Sequence, residues 1–423
     1  MNHQRHASIV ELLSMPPQLP LTGESLEECE QANVGLPSIG AAACGQDSSF
    51  GDTPWQQIQL SALVEPNKLI TIPGSLSVEA SFNKLVKHHL TSLPVQTHPD
   101  EIHCLTFDYN DLNAYLLLVL DKITVKNEQV ARDGQSGRHV SVGDIVRLVP
   151  KDPFIRLPDT DNLATAMAIL GSGVHRIAIT NPQMTAIRGI LSQRRLVKYL
   201  WDNARSFKDL DPLLNASLQD LQIGSLYPST PDVPASRIIS IEGDEPLINA
   251  LEEMHVQRIS SIAVVDDHNC LIGNISVTDV KYVTRTSQYP LLSNTCRHFI
   301  SVILNTRGLE NGKDSFPIFH VNPATSLRRT IAKLVATKSH RLWIVEQQEA
   351  SALQMNDPHT SPMLSSVDAS SGPTLNLLAD QDRSTGKLIG VVSLTDILSN
   401  LARRQTDNKL VDPQQARRLR GGH

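Results

Sequence analysis

Two segments set two hydroxyls and a carboxylate at the same offsets: Ser276-Val277-Thr278-Asp279 and Ser393-Leu394-Thr395-Asp396. Two others join an imidazole to a guanidinium, Val174-His175-Arg176 and Ser339-His340-Arg341. Thr-Asp at a helix start is good N-capping and dipole chemistry. An arginine fork can grip a phosphate, whereas a His-Arg doublet before a strand can equally be a solvated edge. The sequence holds no arrangement for catalysis. It has no Gly-x-x-x-x-Gly-Lys-[Ser/Thr] loop, no His-Glu-x-x-His and no Gly-x-Ser-x-Gly elbow. His88-His89 fall side by side on a predicted helix, where neighbours do not share a face, so no metal pair is expected. The cysteines, at 29, 44, 104, 270 and 296, form no zinc-like cluster. The expectation is a protein that is not an enzyme.

The elements that must position these groups repeat along the chain, and the third copy shows them best. A strand, Arg237 to Ile241, is followed by Asp244-Glu245-Pro246, an acidic helix start. Leu247, Ala250, Leu251 and Met254 then recur at helical spacing. Ile259 to Val265 is a β-rich run stopped by the polar turn Asp266-Asp267-His268-Asn269. Leu271 to Ser276 is a further strand, and Val277 to Val280 open another helix. The order strand, helix, strand, strand, helix returns in three more copies. They place strands at Leu93–Val95, Arg176–Thr180 and Leu342–Val345, and closing helices at about 111–120, 193–201 and from 394.

One repeat is too short to bury its own sheet and helices, and pairing two copies would cover both sheets. The expected organisation is a first pair at 57–204, a linker at 205–235 and a second pair at 236–402. The linker carries Leu213, Leu214, Leu218 and Leu221, which could pack as a helix on one module. Residues 1–56 and an insert at 347–386 are rich in Ser, Gly and Pro and are expected to be disordered. Residues 403–423 form a basic tail.

The chain has 423 residues, 40% of them hydrophobic, with a formal charge of −6. That charge argues against a general nucleic-acid binder. The longest apolar run, Tyr115 to Leu120, is far short of the ~20 residues of a membrane span. The N-terminus lacks the apolar core of a secretory signal, so an intracellular, soluble protein is expected.

The segments Gly273-Asn274-Ile275-Ser276-Val277-Thr278-Asp279 and Gly390-Val391-Val392-Ser393-Leu394-Thr395-Asp396 carry a Gly-h-x-Ser-x-Thr-Asp signature that resembles the hallmark of CBS repeats. The fold expected is α/β (α+β): four CBS repeats in two tandem-pair (Bateman) modules. Ile169-Leu170-Gly171-Ser172-Gly173-Val174-His175-Arg176, Val283 to Leu292 and Leu334 to Arg341 resemble one fungal family of four-repeat proteins, the Sds/Moc-type cell-cycle regulators. The likeness runs from about Trp55 to Arg404. It implies inhibition of a type 2A-like serine/threonine phosphatase, whose catalytic subunit would be the partner. It also implies roles in DNA replication, mitotic timing, cell separation and growth on limiting glucose, in cytoplasm and nucleus. The two modules would stack into a disc within one chain or self-associate as a homodimer.

The repeats also resemble the gamma subunit of the AMP-activated kinase, which implies an alternative: an adenylate sensor docked on kinase subunits. By that resemblance Asp279 and Asp396 would bond ribose hydroxyls of AMP, ADP or ATP, since a carboxylate can accept two bonds from a vicinal diol. Ser276, Thr278, Ser393 and Thr395 would help hold the ligand, and His340 and Arg341 would meet its phosphates. His175 and Arg176 would join a site shared between repeats. The first module departs from the pattern. Arg195 stands where the second copy should have Asp, and Asp108 and Asn110 replace Ser and Thr in the first, beside a retained Asp111. That module is expected to be mainly structural or protein-binding.

Overall fold

The computed structural model describes residues 54–64, 69–96, 98, 105–224, 238–284, 288–311, 320–346 and 386–405. The segments expected to be disordered lie outside the described residues, apart from 54–56, 386 and 403–405. Each repeat builds a three-stranded sheet whose first pair is parallel and second antiparallel. The strands are β1 (Ile72–Pro73), β2 (Ser92–Gln96) and β3 (Leu105–Asp108), then β4 (Ile155–Pro158), β5 (Arg176–Thr180) and β6 (Ile187–Ser192). The second half repeats this with β7 (Ser240–Glu242), β8 (Ser261–Val265) and β9 (Leu271–Ser276), and β10 (His320–Val321), β11 (Arg341–Val345) and β12 (Leu388–Ser393).

The first copy has α1 (Val78–Lys87) between its parallel strands and α2 (Tyr109–Val119) after its third; the second has α3 (Leu163–Gly171) and α4 (Gln193–Asp202) at the same places. The third has α5 (Leu247–Val256) between its parallel strands, α6 (Cys296–Asn311) leads into the fourth, and α7 (Leu327–Thr337) and α8 (Leu394–Gln405) complete it. Leu247, Ala250, Leu251 and Met254 of α5 are all buried, as their spacing requires. Ser77, Asn162 and Ser326 cap α1, α3 and α7 through their side-chain oxygens. The third repeat closes differently from its sequence expectation. Val277–Tyr282 is a six-residue 3-10 helix. Val277, Thr278, Val280, Val283 and Thr284 crowd it with β-branched side chains, which restrict χ1 and disfavour a long α-helix.

The repeats are joined by exchanged segments. The stretch before the first repeat seats on the second: Leu163 N–H donates to Ile58 O, Leu60 N–H to Asp161 O and Ser61 N–H to Asp159 O. The stretch before the second repeat seats on the first, with Val78 N–H on Val140 O, Val142 N–H on Leu76 O and Gly143 N–H on Gly74 O. The same three bonds recur in the second half, where 216–219 seat on the fourth repeat and 294–297 on the third. Composition puts Trp55 and Gln56 in the N-terminal tail; the structure instead buries Trp55 to 1% against the second repeat. Its indole N–H donates to Asp209 Oδ2 at 2.8 Å. The signature glycine Gly273 lies under α6, the helix that follows one of these segments, for a Cβ there would fall 2.1 Å from Ile300 Cδ1.

The two tandem modules stack within the one chain. One core joins the first and third repeats, through Leu112, Tyr115, Leu116 and Leu117 on one side and Leu247, Leu251, Met254 and Val280 on the other. The run Tyr115 to Leu118 is therefore core. A second core joins the second and fourth repeats and takes in Leu213, Leu214, Leu218 and Leu221. There α3 crosses α8 so closely that a Cβ on Gly171 would meet Ser399 N at 2.9 Å. A smaller cluster, Ala263, Val265, Leu271, Trp343, Val345 and Leu388, packs the sheets of the third and fourth repeats together. No helix among the described residues is long and apolar enough to cross a membrane.

Candidate nucleotide- and anion-binding cavity

All four repeats meet around a cavity of about 540 Å³. Its symmetry follows from strand register. Ser92, Arg176, Ser261 and Arg341 open the middle strands, each paired with the last residue of the third strand: Asp108, Ser192, Ser276 and Ser393. The first and third repeats thus present hydroxyls, Thr91 and Ser260-Ser261, where the second and fourth present His175-Arg176 and His340-Arg341. The N-termini of α2 and α4 open on the cavity through Tyr109, Asn110, Gln193 and Arg194, and that of α8 through Leu394. Helix N-termini carry partial positive charge and unbonded N–H groups.

The structure brings His175, Arg176, Ser276, Thr278, His340 and Arg341 together on this wall. Asp279, Ser393, Thr395 and Asp396 are not on it. Asp279 is 2% exposed and its Oδ2 accepts from Ser276 N–H at 2.9 Å, closing a capping box. Asp396 is 6% exposed and its Oδ2 accepts from Ser393 N–H at 2.8 Å and from Ser393 Oγ at 2.7 Å. Thr395 Oγ1 accepts from Gln193 Nε2 at 2.9 Å, linking the fourth repeat to the second. In this arrangement both signature aspartates serve the helix starts.

Three cationic or basic wall residues lie outside the sequence-derived set or gain meaning from the fold. Arg194 occupies, in the second repeat, the position of Thr278 and Thr395, since Ser192 aligns with Ser276 and Ser393. Lys338 ends α7 in the left-handed conformation, φ 55°. His340 lines the cavity, and desolvation among the crowded side chains there, followed by the charges of Arg194, His175, Arg176 and Arg341, holds its imidazole far below the usual 6.5. Arg176 faces Asp108 at 3.5 Å, and His175 Nδ1 lies 2.7 Å from Asp152. Arg341 donates to Ser260 Oγ at 2.8 Å, tying the fourth repeat to the third. Trp343 donates its indole N–H to Asn274 Oδ1 at 3.1 Å in the same interface.

A second cleft, of about 440 Å³, lies in the first module beside Lys151, Asp152, Phe154, His175 and Arg176, with Met254, His255 and Arg258 reaching in from the third repeat. Asp111, retained from the signature, is fully buried next to it. Lys151 Nζ sits 2.6 Å from both its carboxylate oxygens. Burial pushes Asp111 up to about 7, against the opposing pull of Lys151. For Asp108 burial also disfavours charge, but Lys151, Arg176 and the Asn110 N–H together hold it below the usual carboxylate range. Nothing in the sequence around Lys151 signals this pair, because the residues are 40 apart.

Residues 142–202 and 232–284 match the CBS domain family. Protein SDS23 of Vanderwaltozyma polyspora is 65% identical over 384 residues, covering 88% of this chain and 73% of its own length. The chain belongs to the SDS23/SDS24 family. Protein SDS24 of Saccharomyces cerevisiae is 52% identical, covering 99% of this chain and 95% of its own. Among solved structures, MJ1225 of Methanocaldococcus jannaschii, a proposed archaeal homolog of γ-AMPK, matches with a TM-score of 0.54 at 13% identity. It covers 81% of this chain and 99% of the archaeal one, which shows a shared fold. SDS23/SDS24 membership and the CBS repeats support a regulatory, non-catalytic role.

Proposed function

We propose that this SDS23/SDS24-family protein is an inhibitor of a type 2A-like serine/threonine phosphatase, set by adenine nucleotide in the central cavity. It would act in DNA replication, cell-cycle progression, cell separation and the response to limiting glucose, in cytoplasm and nucleus. The phosphatase target rests on the family resemblance. The nucleotide rests on one observation: a four-repeat cavity in which His175-Arg176 and His340-Arg341 converge with Ser276 and Thr278. Phosphate would meet the cations, and the hydroxyl-bearing repeats would take the remaining polar groups. The test is a phosphatase assay with a purified type 2A-like catalytic subunit and the full chain, with and without AMP, ADP or ATP. Inhibition that shifts with adenylate supports the proposal; no inhibition under any condition ends it.

The fold likeness to a proposed γ-AMPK homolog favours a second reading, a regulatory subunit docked on a kinase. Pull-down from extract separates the two: a phosphatase catalytic subunit supports the first, kinase subunits the second. Self-association as a homodimer would show in light scattering as twice the chain mass.

A further inference from the structure

We infer that the cleft of about 440 Å³ between the first module and the third repeat is a second binding site, for a small molecule with a carboxylate at one end, an N–H donor at the other and an apolar body between them. A short peptide has that chemistry and a nucleoside does not. The site goes beyond the nucleotide reading, which concerns the central cavity.

Two unanswered groups carry the inference, and neither is on the central cavity's wall. Asn113 is 1% exposed and lines the cleft. Its Nδ2 donates to Leu251 O at 3.0 Å, which fixes the orientation of the amide. Its Oδ1 is buried and accepts no hydrogen bond. A buried acceptor left unmade is costly, so it calls for a donor that arrives from outside the chain. Arg258 lines the same cleft from the third repeat. Among the described residues its guanidinium has no hydrogen-bond or ion-pair partner. Its charge reaches His255, whose imidazole is held below its usual range first by burial and then by Arg258. One part of the cleft therefore lacks a donor and another lacks an anion.

The other charges of the cleft are settled within the chain. Arg176 faces Asp108 at 3.5 Å, His175 Nδ1 lies 2.7 Å from Asp152, and Lys151 holds Asp111. The last pair decides against a nucleoside. Both Asp111 oxygens accept from Lys151 Nζ at 2.6 Å, and Oδ2 accepts also from Asp108 N–H at 2.8 Å. A ribose diol would find no carboxylate open to it. The wall between is apolar, with Pro153, Phe154, Ile190 and Met254. Arg258 comes about two helical turns after Leu251, the residue that holds Asn113, or about 10 Å along the axis of α5. An extended peptide of about three residues spans that distance. An arginine fork on a terminal carboxylate is a strong, directional contact, and the volume is that of a small-molecule site.

The experiment is calorimetric titration of the full chain with the tripeptides Leu-Ala-Leu and Phe-Ala-Leu, each also as its C-terminal amide, beside Arg258→Gln, Arg258→Lys and Asn113→Leu. Thermal melts confirm that each variant folds. At least one free acid is expected to bind, and its amide about tenfold more weakly or worse. Arg258→Gln should cost the acid about tenfold and leave the amide unchanged, with part recovered in Arg258→Lys. Asn113→Leu should weaken acid and amide alike; if that variant melts early, the two Arg258 variants decide alone. Adenosine is then added to the peptide complex. Displacement of the peptide would overturn the inference, and adenosine binding beside a retained peptide would support it. No heat with either tripeptide, equal affinity for acid and amide, or an affinity indifferent to Arg258→Gln would each overturn it.

Discussion

Lys151 holds both carboxylate oxygens of Asp111 at 2.6 Å, and Asp111 has no exposed surface. This retained signature carboxylate is thus already answered from within the chain, as befits a module expected to be mainly structural or protein-binding. It also accepts from Asp108 N–H at 2.8 Å, so the pair fixes the start of α2.

Removing the lysine should be costly and pH-dependent. Lys151→Met leaves a buried carboxylate without its partner, a loss of roughly 3–5 kcal/mol while that carboxylate stays charged. Asp111 has its folded pKa raised to about 7, above the unfolded 3.8. Its burial therefore costs stability above that value, and the cost fades as pH falls between the two. Urea unfolding should show a larger loss near about pH 8 than near about pH 5. Equal losses at both would place the damage elsewhere.

His340 has the opposite sign. Its folded pKa is depressed, first by desolvation and then by the neighbouring Arg194, His175, Arg176 and Arg341. Below the unfolded value near about 6.5 the unfolded chain binds the extra proton, so this group subtracts stability as pH falls. Histidine NMR should find an imidazole that stays neutral well below the others. Added tripolyphosphate should raise its pKa, because anion charge offsets the cations around it. An ordinary titration near 6.5, unmoved by the anion, would mean that His340 is neither desolvated nor surrounded by cations as the structure has it.

The signature aspartates can be separated into capping and ligand roles. Asp396→Ala removes the acceptor for Ser393 N–H and Oγ, and should cost about 0.5–2 kcal/mol with no ligand present. Asp396→Asn keeps an acceptor at the helix start and should lose less. If adenylate affinity follows the Ala variant but not the Asn variant, the residue acts through the cap; loss in both would put a ribose on its carboxylate.

Gly171→Ala tests the stacking of the modules. The added methyl would meet the backbone at Ser399 N, 2.9 Å, and Leu398 C, 3.1 Å, so one helix must move. Overpacking of this kind costs typically about 1–3 kcal/mol. A melt indistinguishable from the parent would mean that α3 and α8 do not lie this close in solution.

The strands and most helices are legible in the sequence because apolar spacing marks them. Leu247, Ala250, Leu251 and Met254 announce α5, and the runs from Arg176 and Arg341 announce the middle strands. Arg194 was also within reach, since aligning Ser192 with Ser276 and Ser393 sets it at the place of Thr278. The exchanged segments were not legible. Ile58 and Leu60 find their partners about a hundred residues along, at Leu163 and Asp161, and a short segment carries no periodicity of its own. The same holds for Lys151, whose partner is set by the fold alone. The sequence reading opens a helix at Val277, and the β-branched run there shortens it to a 3-10 turn.

The reciprocal seating of 58–61 on one repeat and 140–143 on the other has a consequence for how such a chain can be cut, copied or inherited. A lone repeat would lack the strap that closes its own helix start and would carry one belonging to its neighbour. A gene fragment encoding one repeat would leave Leu60, Leu63, Val142 or Ile145 facing water, residues that are at most 3% exposed in place. The heritable piece is consequently the pair, and a break between its two members damages both.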